Sequence, residues 1–270
     1  MGVRPRRQSN SPRSAIAASF FRAQIPQYLR YSIIIPAWNE AELLPQSLVA
    51  MNKAMQEVTE QSEHAGELIV VDNNSTDDTA VIARRAGAQV VFEPINQIAR
   101  ARNRGVTIAS GDALIFVDAD SSCSSVLLLE SLDLLESGKV AGGGSVIAPD
   151  QEIGRKAHQL LKYWNSLSVK AKLAAGCFVF CRRDAFETIG GFNVKVYAGE
   201  EIYLSRRLKR WARTNGMSFR IIEKAPVRTS VRKLHWYGPL QLAAQLALVM
   251  IPGALYSRRL CRTWYDRTKR

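Results

Sequence analysis

The stretch Leu114-Ile115-Phe116-Val117-Asp118-Ala119-Asp120-Ser121-Ser122 decides how the chain is read. Four apolar residues, β-branched and aromatic among them, run straight into two carboxylates one residue apart and then into hydroxyl side chains. A short apolar run of this composition reads as a buried strand, and Asp118 marks where it leaves its sheet. In open α/β sheets, ligands bind at the carboxyl ends of the strands. Residues i and i+2 of an extended backbone point to the same side, so Asp118 and Asp120 face one cleft if the turn stays roughly extended. Two like charges that close repel unless a cation or donors lie between them. Mg2+ or Mn2+, held by one or two carboxylates plus phosphate oxygens, meets that demand. Taken alone, Asp-x-Asp also reads as a plain polar turn after a core strand, so the flanking sequence has to discriminate.

Working upstream, residues 31–36 form a strand stopped by Pro36, which cannot donate to a ladder. A turn and an apolar helical rhythm over 41–60 follow, then a second buried strand over 67–72 that again ends on a carboxylate, Asp72. Ser75 or Thr76 is placed to cap a helix over 77–86. A strand at 89–92 and a helix over 98–109, carrying Arg100, Arg102, Asn103 and Arg104, lead into the opening stretch. This alternation predicts βαβ units with right-handed crossovers. Downstream come a helix over 126–135, Gly142-Gly143-Gly144 as a flexible approach to a strand, and a helix over 152–173 that is basic on one side. A strand over 176–181 precedes a helix over 182–189 that is closed by Gly190-Gly191. Gly199-Glu200-Glu201 opens a helix to about 215, and a short strand over 219–222 ends the series. Two carboxylates at a helix start are stabilised by its dipole, and one beside a cleft also suits a general base; the two readings are compatible.

The 270 residues can bury a substantial core, and a formal charge of +13 calls for phosphates, nucleic acid or an acidic membrane. Nucleic acid is excluded by the lack of a stacking-aromatic or helix-turn-helix module, and the excess charge clusters away from the sheet. Residues 1–27, rich in Arg, Ser and Pro without an acid, read as a flexible basic arm, leaving a domain over 28–230 and a C-terminal segment over 231–270. Cys123, Cys177, Cys181 and Cys261 are too scattered for a disulfide framework. Cys177 and Cys181, about 13 Å apart on a strand, cannot share a zinc, which points to buried thiols in a reducing compartment. Residues 236–257 carry no charge and are flanked by Arg232 and Lys233 on one side and Arg258, Arg259 and Arg262 on the other. Gln241, Gln245, Gly238-Pro239 and Pro252-Gly253 weaken a membrane-spanning reading. An amphipathic segment on an anionic leaflet, peripheral to the cytoplasmic membrane face, is favoured; the alternative packs it on the domain or on a homodimer partner.

In their order along residues 31–225, these motifs resemble the family 2 glycosyltransferases. The resemblance rests on Ser32-Ile33-Ile34-Ile35-Pro36-Ala37-Trp38-Asn39-Glu40, on residues 67–79, and on Ala101-Arg102-Asn103-Arg104-Gly105. It continues through Ala109-Ser110-Gly111-Asp112-Ala113 with the Asp-Ala-Asp, Arg183-Asp184-Ala185-Phe186, Gly190-Gly191-Phe192 and Gly199-Glu200-Glu201. It implies an α/β GT-A (Rossmann-like) fold: a mixed, mainly parallel central sheet flanked by helices, here with a C-terminal amphipathic helical extension. It also implies inverting transfer of a sugar from a nucleotide-diphosphate sugar to an acceptor hydroxyl, with Mg2+ or Mn2+ as cofactor. Pro36, Ala37 and Glu40 would line the nucleoside pocket, Asp72 would accept from the base, and Arg102 would approach base or diphosphate. Asp118 would sit near ribose and metal, with Asp120 the principal metal ligand. Glu201 matches the catalytic base, although the family commonly has Asp there, which leaves Glu200 and Glu201 both as candidates. Asn73 stands where many members have a second Asp, and Arg207 matches an arginine expected to be structural. His235 is a candidate late metal ligand or an interfacial packing residue. The basic, apolar flanks point to a lipid-linked or membrane-proximal acceptor. Two rivals are a sugar nucleotidylyltransferase, whose glycine-rich signature is missing, and a non-catalytic membrane-surface module on the same scaffold. Rossmann dehydrogenases fail because no Gly-x-Gly-x-x-Gly follows the first strand.

Overall fold

Alternation along the buried strands sorts their side chains into two cores. The computed structural model describes residues 28–232, 254–257 and 259–261. Eight strands form one mixed sheet in the order β3-β2-β1-β4-β7-β6-β8-β5. They are β1 (Arg30–Ala37), β2 (Ala65–Asp72), β3 (Gln89–Phe92), β4 (Ala113–Val117), β5 (Ser121–Ser122), β6 (Val140–Pro149), β7 (Phe178–Arg182) and β8 (Ser218–Thr229). β1 pairs parallel with β2 and β4, β2 with β3, and β6 with β8. β7 runs antiparallel between β4 and β6, and β5 closes the edge antiparallel to β8. Seven α-helices among the described residues flank the sheet: α1 (Leu44–Gln61), α2 (Thr79–Arg85), α3 (Ile98–Val106), α4 (Ser125–Glu136), α5 (Arg155–Ala171), α6 (Arg183–Thr188) and α7 (Glu200–Thr214).

On one face Ile33, Ile35, Ile115 and Val117 meet Leu44, Leu48 and Met51 of α1 and Leu127, Leu128 and Leu132 of α4. On the other, Ile34, Leu114 and Phe116 meet Ala99 and Ala101 of α3, Phe186 of α6, and Leu204 and Leu208 of α7. Strands lined on both sides in this way explain why the sequence shows unbroken apolar runs rather than alternation.

Three expectations change. β1 does not stop at Pro36: Pro36 and Ala37 pair with Val71 and Asp72, while the β4 ladder has already ended at Ile34 and Phe116. With one paired neighbour, a residue lacking N–H is tolerated. Gly142, Gly143 and Gly144 lie inside β6 rather than in a flexible approach, because a Cβ at Gly143 would collide with the Arg220 carbonyl and Phe180 ring. The final strand is 12 residues long, not four, and its far end pairs with β5 through Ser121–Thr229 and Ser122–Arg228. The arm at 1–27, His235 and most of the apolar 236–257 stretch lie outside the described residues. No helix among the described residues is long and apolar enough to cross a membrane. All four cysteines are buried free thiols.

Candidate active site

Two loops at the carboxyl ends of β1 and β2 are tied together by side chains. Asn39 and Asn74 adopt φ of 50° and 65°, a left-handed conformation that asparagine tolerates well. Asn39 N donates to Ser75 Oγ (2.9 Å), and Asn39 Oδ1 accepts from Thr76 N (2.7 Å). Glu40 N donates to Thr79 Oγ1 at 2.8 Å, and Ala41 N to Asp77 Oδ2 at 3.1 Å. The hydroxyls of Ser75 and Thr76 therefore join the loops instead of capping α2, whose first amide, Thr79 N, donates to Asp77 Oδ1. Asp72 Oδ1 accepts from Ser75 N at 2.9 Å, which orients the carboxylate at the strand end beside Ala37. Asn73 is buried and structural: its Nδ2 donates to the Glu93 and Ile95 carbonyls (3.1 and 2.6 Å), and its Oδ1 accepts from Gln97 N (2.9 Å). An aspartate could not make the first two of these bonds.

Arg102 departs most from expectation. Instead of approaching base or diphosphate, its side chain is fully buried, 0% exposed. Nη1 donates to Glu200 Oε1 at 2.6 Å, while Nη2 donates to Asp118 Oδ1 at 2.8 Å and to the Gly176 carbonyl at 2.6 Å. The guanidinium carbon sits 5.1 Å from the centre of the Phe192 ring. Burial alone would lower the Arg102 pKa, but the charges of Asp118 and Glu200 raise it on balance, so it stays a cation. It joins the Asp-x-Asp turn to the start of α7.

Asp118 and Asp120 are not side by side on an extended chain. Ser121 N donates to Asp118 O at 3.0 Å, a turn that sends the two carboxylates to different arginines. Arg232 Nη2 lies 3.1 Å from Asp120 Oδ2 and 2.7 Å from Glu40 Oε1. The pairing of β8 with β5 brings it there, continued by Ser230 N donating to Asp120 O at 3.0 Å. Sequence reasoning saw Arg232 only as a flank of the apolar stretch; a long-range strand pairing leaves no local signal.

Gly199, in a left-handed conformation with φ of 67°, sets the start of α7. Tyr197 N donates to Leu255 O at 2.8 Å, and Ala198 packs with Leu255 and Cys261, so the approach to α7 is held by residues from the far C-terminal part. Glu200 is consumed by Arg102. Glu201 is half-buried with its carboxyl over Gly176, whose Cβ, if present, would lie 3.3 Å from Glu201 Cδ. Burial first, and then the neighbouring Glu200 carboxylate, push the Glu201 pKa up to about 8 against the pull of Arg102. Arg207 donates to the Gly191 carbonyl at 3.4 Å, a structural contact.

Four carboxylates, of Asp118, Glu200, Asp120 and Glu40, face the two guanidiniums of Arg102 and Arg232, so the cluster keeps a net negative charge. A second acidic group, His64 with Asp133 and Glu136, lies at the amino end of β2, away from Asp72. Leu29 N donates to His64 Nδ1 at 3.0 Å, which leaves the neutral ring's proton on Nε2, 3.7 Å from Asp133 Oδ1. A nitrogen that keeps its proton is no metal ligand, so this group reads as a buried histidine near a carboxylate.

Residues 32–190, more than half of the chain, match the model of the family described as Glycosyl transferase family 2. The chain belongs to that family. Glycosyltransferase AglE of Haloferax volcanii is 29% identical over 188 residues, covering 65% of this chain and 60% of its own. An uncharacterized glycosyltransferase of Mycobacterium tuberculosis is 40% identical over 91 residues; the match spans 34% of this chain and only 37% of that relative. Among solved structures, the fold is similar to a mannosyltransferase from Pyrobaculum calidifontis in complex with GDP-Man and Mn2+ (TM-score 0.57, 20% identity, 80% of this chain and 63% of that one). It is likewise similar to glucosyl-3-phosphoglycerate synthase from Mycobacterium tuberculosis in complex with Mn2+, UDP and glucosyl-3-phosphoglycerate (TM-score 0.56, 19% identity, 96% and 87%). At these identities the likeness shows the fold, and the family 2 chain is built on the GT-A sheet.

Proposed function

We propose that this family 2 chain moves a sugar from a nucleotide-diphosphate donor to an acceptor hydroxyl with inversion at the anomeric carbon. The observation that carries the reading is Arg102 holding Asp118 and Glu200 together, which sets Glu201 beside the Asp-x-Asp turn. The Mn2+, GDP-Man and UDP named with the similar structures support it. Pro36, Ala37 and Asp72 mark the nucleoside end at the tips of β1 and β2. Asp120 and Asp118 would hold the divalent ion, with Glu40 close by. When bound, that ion supplies positive charge to the departing diphosphate.

Glu201 is the base. Its carboxyl is shifted to about 8, close to working pH, as a proton acceptor requires. It removes the acceptor hydroxyl's proton as that oxygen attacks the anomeric carbon from the face opposite the diphosphate, and a single displacement inverts the centre. A proton on Glu200 would cancel the charge set against the buried Arg102, so Glu200 positions rather than reacts. The uncharged 236–257 stretch between basic flanks makes a lipid-linked or membrane-proximal acceptor the class to test first.

A thermal-shift screen of UDP and GDP with and without Mn2+ tests the donor side, because a ligand that binds the native state raises the melting point. The expected result is a shift that needs both nucleotide and metal in the wild type and is lost in Asp120→Ala. Donor hydrolysis unchanged in Asp120→Ala would remove Asp120 from the site, and a wild type that binds nucleotide but neither transfers nor hydrolyses the donor would favour a non-catalytic binding module.

A further inference from the structure

Arg232 is fixed by its backbone at the carboxylate assigned to the cation. Ser230 N donates to Asp120 O at 3.0 Å and Val231 N to Asp150 Oδ1 at 3.0 Å, so both residues between the end of β8 and Arg232 are pinned. The side chain is 15% exposed, and its Nη2 reaches both Glu40 Oε1 (2.7 Å) and Asp120 Oδ2 (3.1 Å), whose side chains are 7% and 8% exposed. Bonds to Glu40 and Asp120 keep this guanidinium charged despite burial. Asp120 is therefore asked to hold a fixed cation of the protein and a mobile one from solution. Two positive charges on one poorly hydrated carboxylate repel each other. A diphosphate changes the balance, since its oxygens accept from a guanidinium fork and from a divalent ion at once.

We propose that Arg232 makes divalent-cation binding at Asp120 conditional on the nucleotide diphosphate, so that the cation is disfavoured in the nucleotide-free site and enters with the donor. This rests on the nucleotide-sugar reading of the site. Thermodynamic reciprocity then requires the cation to strengthen nucleotide binding by the same factor.

The test measures Mn2+ binding to the full chain from the electron paramagnetic resonance of free Mn2+, with and without saturating UDP or GDP, after subtracting the Mn2+ that the same nucleotide binds in a protein-free titration. In the wild type, whichever nucleotide binds raises Mn2+ affinity by at least about tenfold. In Arg232→Gln, Mn2+ binds several-fold more tightly without nucleotide and the coupling factor falls several-fold, to the part that the diphosphate's own ligation of the ion supplies, whereas Arg232→Lys retains the coupling. Arg232→Gln with intact coupling and only a lower melting temperature would make Arg232 a fastener of β8 and overturn the proposal. If the wild type binds neither Mn2+ nor nucleotide in any combination, the proposed function falls and takes this inference with it; a wild type that couples and a variant that couples equally removes this inference alone.

Discussion

Arg102 Nη1 donates to Glu200 Oε1 at 2.6 Å across 98 positions of sequence, and the arginine side chain is wholly out of water. Removing one partner of such a pair leaves a buried charge uncompensated, so Arg102→Met should cost about 3–5 kcal/mol of stability. Urea unfolding measures this. A loss below about 1 kcal/mol would place the pair in the range of surface ion pairs and remove Arg102 as the joint of the site.

The two glutamates at the start of α7 should separate by phenotype. Glu201→Gln should lower transfer by about 10²–10⁴-fold while the nucleotide-dependent thermal shift persists. Glu200→Gln should lower the melting temperature, because Arg102 loses a charged partner. Steady-state assays beside thermal melts decide it, and the reverse pattern would move the base to Glu200.

Since the Glu201 carboxyl is pushed up to about 8, the fraction able to accept a proton grows through neutral pH. Below that pKa, kcat/KM should rise about tenfold per pH unit and then level off. The stability consequence has the opposite sign. Between the ordinary carboxylate range and about 8 the folded state holds a proton that the unfolded state has released, so stability falls as pH rises through that window. Glu201→Gln should flatten both profiles. A wild-type rate independent of pH between 6 and 9 would count against this base.

Asn73→Asp is a one-atom change that should be costly. The side chain is 5% exposed and gives both amide hydrogens to the carbonyls of Glu93 and Ile95. Leaving those acceptors unmet should cost about 1–3 kcal/mol and loosen the loop over 93–97. Gln97, at its end, donates to the Val194 and Val196 carbonyls ahead of α7, so the disturbance should reach Glu201. Hydrogen exchange of residues 93–97 checks the first effect, and the transfer rate checks the second.

The order of strands and helices could be read from the sequence because it is written locally. Buried runs such as Ile33-Ile34-Ile35 and Leu114-Ile115-Phe116-Val117 need no knowledge of their partners to declare themselves, and carboxylates mark where the strands at Asp72 and Asp118 end. That placed Asp72, Asp118, Asp120 and the two glutamates at the carboxyl ends of strands or the start of a helix. Only the tertiary structure decided which charges meet. Arg102, read as a group for base or diphosphate, is drawn inside by Asp118 and Glu200. Arg232 reaches Asp120 because β8 extends to pair with β5, and the glycines of β6 sit in strand because Phe180 and Arg220 crowd them. The physical reason is the same in each case. Periodicity records which face of an element is apolar, whereas ion pairing and strand extension depend on distances set only once residues about a hundred positions apart are packed together.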